Sequence, residues 1–139
     1  MKDSAKLLRE CETEGRLTLY WREAARQEAE SSRLVGLLSD YQAKHRLLCD
    51  RLEKETKLRR KQYTPVRKMG AWMKLHTGLV MRRTDSELAR LVSDVCFSHT
   101  KSLSRAINHC PNADENIVAL TRELILLQQS CTEELREFL

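Results

Sequence analysis

LTLYWREAARQEAESSRLVGLLSDYQAKHRLLCDRL, residues 17–52, carries apolar side chains at steps that alternate between three and four. Followed at that spacing, the positions are Leu17, Tyr20, Ala24, Gln27, Ser31, Leu34, Leu38, Tyr41, His45, Leu48 and Leu52. A mean step of about 3.5 keeps side chains on one narrow stripe of a helix, so this is a heptad seam that packs on another helix. Its second half is nearly unbroken. Leu34, Leu38, Tyr41, Leu48 and Leu52 are therefore expected to be buried as a helix-pairing seam, and His45 reads as a polar position that sets register.

Working outward, no proline interrupts the chain from Asp3 to Lys61, and most of its residues are strong helix formers. The favoured reading is one long, bent helix over 3–61. At ~1.5 Å per residue it would span roughly 80 Å, too long for a compact domain. Two alternatives follow: a break near Gly36 or Gly15, or an N-terminal part that projects and pairs with a second chain. Glycine inside a helix costs about 1 kcal/mol. Neither glycine, however, is accompanied by proline or a cluster of turn residues.

Further along, Thr64-Pro65 has the form of a helix start, threonine capping and proline at the first helical position. The helix expected over 65–82 gathers Val66, Met69, Trp72, Met73, Leu75, His76, Leu79 and Val80 on one half of its wheel and Arg67, Lys74 and Arg82 on the other. Thr84-Asp85-Ser86-Glu87 reads as a capping box opening a helix over 85–109. A second box, Asn112 to Glu115, opens a last helix over 112–138 with the stripe Ile117, Leu120, Leu124, Leu127, Cys131, Leu135 and Phe138. With four glycines, two prolines and 5% aromatic residues in 139, the whole chain reads as one all-α domain, a bundle of about four helices with one long N-terminal member.

Charge is segregated. Residues 1–56 carry eleven basic and eleven acidic side chains, and residues 85–139 carry five against nine. Between them stand Lys57, Arg59, Arg60, Lys61, Arg67, Lys68, Lys74, Arg82 and Arg83 with no acidic residue. A field of this kind speaks about partners: nucleic acid through phosphates with Tyr63 and Trp72 available to stack, an anionic membrane surface, or an acidic protein. The bland alternative is a solvated face offset by Asp114, Glu115, Glu123, Glu133, Glu134 and Glu137 of the last helix. Lys57 to Lys61 also has the composition of a nuclear import signal, and Thr64-Pro65-Val66-Arg67 suits a proline-directed kinase, which makes Thr64 a candidate phosphosite.

Enzyme motifs are absent: no glycine-rich phosphate loop, no G-x-S-x-G and no H-E-x-x-H. Cys96 and His99 share a helix face and would form half a metal site if His45, His109 or Cys110 joined them, but core packing is the better account of both. The five cysteines form no C-x-x-C and no disulfide framework, so all are expected to be reduced and structural. No apolar run approaches the ~20 residues of a membrane span, and the first residues lack the apolar core of a secretory signal, which places the chain in the cytoplasm or nucleus. The expectation is a non-enzymatic helical interaction module without cofactor or metal, an adaptor or subunit that binds other proteins, a second copy of itself included. Binding of nucleic acid or another polyanion through 57–83 is the alternative.

Overall fold

The computed structural model describes residues 2–56 and 83–139. Among them the chain is all-α: α1 (Lys2–Glu28), α2 (Ser32–Thr56), α3 (Asp85–Asn108) and α4 (Glu115–Leu135), with a 3-10 turn, Arg136–Phe138, at the end. The helix expected over 65–82 and its Thr64 cap lie outside the described residues.

The expectation of one continuous helix over 3–61 is overturned, and the break falls neither at Gly15 nor at Gly36. The chain leaves the helix at 29–31. There the Ser31 hydroxyl accepts the Leu34 N–H at 3.4 Å, as an N-cap does. Asp85, from far along the chain, accepts the backbone N–H groups of Glu30 and Ser31, both at 2.9 Å. Gly36 sits inside α2, exposed, with nothing within 4 Å of where a Cβ would stand.

This turn also resets the seam. On α2 the spacing carries through: Leu34, Leu38, Tyr41, His45, Leu48 and Leu52 are all buried. On α1 the buried stripe is Leu7, Cys11, Glu14, Thr18, Trp21 and Ala25, whereas Tyr20 is 39% exposed and Gln27 faces solvent. The phase read for Tyr20, Ala24 and Gln27 was continuous with α2 across a break that the two helices do not share.

Each helix packs on two neighbours, α1 and α4 both lying against α2 and α3, so that α1 faces α4 across one diagonal. One end of the core joins Leu7, Leu8, Leu48, Leu52, Leu103, Ile117 and Leu120. The other joins Ala25, Leu34, Leu38, Leu88, Val92, Cys131 and Leu135. The start of α1 thus meets the end of α2, the end of α3 and the start of α4. Neighbouring helices are antiparallel and the diagonal pairs parallel, so α2 ends and α3 begins at opposite ends of the bundle. Burying a leucine is worth about 1.5–3 kcal/mol, and these two clusters supply most of the driving force.

The α3 start is the capping box anticipated: Thr84 Oγ1 accepts the Glu87 N–H at 3.2 Å while Glu87 Oε1 accepts the Thr84 N–H at 3.1 Å. The second box does not form. Asp114, not Asn112, is the N-cap of α4 and its side chain makes no cap bond. Instead the first turn of α1 closes this loop, Asp3 accepting the Asn112 N–H at 2.9 Å and Ser4 Oγ the Asp114 N–H at 2.8 Å.

Candidate functional site

Between the two apolar ends lies a layer of polar side chains to which every helix contributes. At its centre is Arg22 of α1, wholly buried. Its Nη1 donates to Gln42 Oε1 at 2.9 Å and to His45 Nδ1 at 3.1 Å, both on α2. Its Nη2 donates to Gln128 Oε1 of α4 at 2.5 Å and to Cys96 Sγ of α3 at 3.7 Å. A guanidinium taken from water costs several kcal/mol unless its donors are met. Here neutral acceptors meet both terminal nitrogens, Nε has no hydrogen-bond partner among the described residues, and none of the partners is a carboxylate.

The neighbouring bonds decide the tautomers. Thr18 spends its hydroxyl hydrogen on the Glu14 carbonyl at 2.9 Å, so it accepts from His99, whose Nδ1 stands 2.9 Å away and carries the ring proton. His45 Nδ1 accepts from Arg22, so its proton is on Nε2, which faces Gly15. A Cβ at Gly15 would come within 3.3 Å of that nitrogen, which is why glycine suits this one place in α1. The two imidazoles stack, centroids 5.8 Å apart and planes 26° from parallel. Burial, and then the charge of Arg22, hold both below their ordinary value of 6.5, His99 at about 3. Both rings are neutral.

The metal alternative finds no centre. His99 and His45 have Nδ1 engaged by Thr18 and Arg22, and exposed His109 lies with Nδ1 2.8 Å from the carbonyl oxygen of Arg105 in its own helix. Among the described residues no three metal-ligating side chains converge. All five cysteines are free thiols. Burial pushes Cys11 up to about 12 and Cys49 to about 11, which removes both as nucleophiles at neutral pH. Cys96 is lowered by a hydrogen bond with the Cys131 thiol and by Arg22, against its burial, and Cys131 is raised in return.

On the surface, α2 and α4 leave a groove of about 420 Å³. Leu47 of α2 is 64% exposed and Leu126 of α4 is 62% exposed, and both line it. Leu48 and Leu127 form its inner wall, Lys44, Arg51, Glu123 and Ser130 its rim. Arg51 reaches across to Glu123 at 3.0 Å, an exposed pair worth about 0–1 kcal/mol. Lys44 sets its ammonium 5.0 Å from the centre of the Tyr41 ring.

Of the basic residues singled out in the sequence, Lys57, Arg59, Arg60, Lys61, Arg67, Lys68, Lys74 and Arg82 lie outside the described residues. Arg83 is tied to α1: its N–H donates to Glu28 at 2.9 Å and its Nη1 stands 3.7 Å from the same carboxylate. Several acidic residues of α4 and the turn that follows it are engaged, Glu123 by Arg51, Glu133 by Arg136, Glu134 by the Tyr41 hydroxyl and Glu137 by Arg33. Arg22, Gln42 and Gln128 escaped the sequence reading, although Gln128 falls one turn beyond Leu124 on the α4 stripe. Among the described residues no helix is long and apolar enough to cross a membrane. Comparison with protein-family models, with curated proteins and with solved structures finds no match to this chain.

Proposed function

We propose that this chain is a non-enzymatic interaction module, a subunit or adaptor that receives an amphipathic helix of a partner protein in the groove between α2 and α4. The observation that carries it is the pair Leu47 and Leu126, large apolar side chains left open along one groove where the same two helices bury their other stripes. Single exposed leucines are ordinary; two lining one groove offer the apolar floor into which a helix lays its i, i+3, i+4 and i+7 side chains. Charge narrows the occupant. Among the described residues Lys44 has no carboxylate partner, so an acidic residue beside the partner's apolar stripe suits the rim.

The test is a selection of amphipathic helical peptides on the pure protein, with Leu47→Asp/Leu126→Asp as the competitor. Wild-type binders with an acidic flank, lost in the double variant while thermal stability changes little, are the expected result. Peptides that bind both equally, or whose amide shifts map elsewhere, refute the groove. The nine positive charges of 57–83 support a second reading, polyanion binding. It requires oligonucleotide affinity that falls with salt at a slope of about −0.7 to −0.9 per phosphate neutralised, flattened when Arg59, Arg60, Lys61, Arg67 and Lys68 are neutralised.

A further inference from the structure

We propose that Arg22, His45 and His99 form an acid-operated latch: the bundle holds while both stacked imidazoles are neutral and opens at mid-length when they take up protons. Both rings are wholly buried, 5.8 Å apart, and one is hydrogen-bonded to a buried guanidinium at 3.1 Å. The bonding of His45 depends on its neutral form, and the His99 cation would gain no partner for its added proton. A proton on His45 Nδ1 destroys the acceptor that Arg22 uses and sets N–H against N–H. A proton on His99 would sit on Nε2, which has no hydrogen-bond partner among the described residues.

The groups hydrogen-bonded to the rings among the described residues are neutral or positive. From α1 the facing groups are Arg22, the Thr18 hydroxyl and the Glu14 backbone carbonyl; from α2, Arg46 adds its positive field on His45. From α3 Cys96, and from α4 Gln128 and Cys131, complete the surroundings. Among the described residues no carboxylate is bonded to a ring nitrogen of either histidine. Protonation would therefore place two or three positive charges together in the core, which the bundle escapes by opening and wetting the layer.

Both histidines are lowered in the fold, so the opened chain binds protons first; the stability they confer is complete above about pH 6.5 and is lost as pH falls below it. Two protons taken up on opening change the folding equilibrium about 100-fold per pH unit below ~6, and one proton changes it about 10-fold.

The experiment is urea unfolding of the full chain between pH 7.5 and 5.0 at fixed ionic strength. It compares wild type, His45→Asn, His99→Asn and the double variant, with exposed His109→Asn as control. Asparagine can still accept from Arg22 or donate to Thr18 but does not titrate. The expected slope falls from wild type to single to double variant, and His109→Asn matches wild type. A double variant as acid-sensitive as wild type overturns the proposal. Should the variants fail to fold, imidazole NMR signals of the wild type decide: both rings stay neutral in the folded protein down to pH 5.5, and a ring that titrates near 6.5 without unfolding overturns it.

Discussion

The two ends of the bundle and the layer between them are buried to the same degree by different means. At the ends, leucine, isoleucine and valine meet one another, and the contacts are forgiving in direction. In the layer, Arg22 reaches Gln42 and His45 on α2, Cys96 on α3 and Gln128 on α4 at fixed distances. A leucine seam can slip by a turn and still find leucine. An arginine that loses Gln128 and Gln42 together leaves a bare charge in the core. The ends thus supply stability and the layer supplies register, the role a buried polar residue has in helical pairs.

The most damaging single change should be Arg22→Ala, about 3–5 kcal/mol, because it empties a large site and strands acceptors on three helices. Replacing the layer in concert (Arg22→Met, Gln42→Leu, His45→Leu, Gln128→Leu) should instead leave thermal stability equal or higher while broadening the amide spectrum as register loosens. A stable concerted variant with sharp wild-type-like dispersion would break the division of roles. Next come Leu38→Ala and Leu48→Ala, one in each apolar end, each costing about 2–5 kcal/mol. With the layer between them their costs should add within about 0.5 kcal/mol in denaturant titrations. Strong coupling would mean the ends are one core after all. The smallest effect concerns two glycines: Gly36→Ala should stabilise by about 1 kcal/mol, whereas Gly15→Ala should gain less or lose, because its Cβ presses His45 Nε2 at 3.3 Å. Equal gains at both sites would show that His45 has room to move.

How legible each part was in the sequence follows the same division. The α2 stripe and the Thr84 capping box could be read because leucines and a local four-residue pattern carry them. The buried face of α1 could not, since Glu14, Thr18 and Arg22 look like a solvent face until partners from three other helices are known. The turn at 29–31 escaped for a related reason: its backbone is satisfied by Asp85, which no local window contains. Nor could Leu47 and Leu126 announce a groove before α2 and α4 were neighbours.

The two loop closures have a consequence for how the chain acquires its shape. Asp85 of α3 finishes the turn between α1 and α2, and Asp3 and Ser4 of α1 finish the connection between α3 and α4. Each helical hairpin therefore lacks the groups that complete its own bend and carries those of the other. Neither gains its full hydrogen bonding alone, so the hairpins are poor stopping points on the folding route. The two halves are expected to lock in a single cooperative step, with a transition state built from contacts distant in sequence rather than from either hairpin by itself.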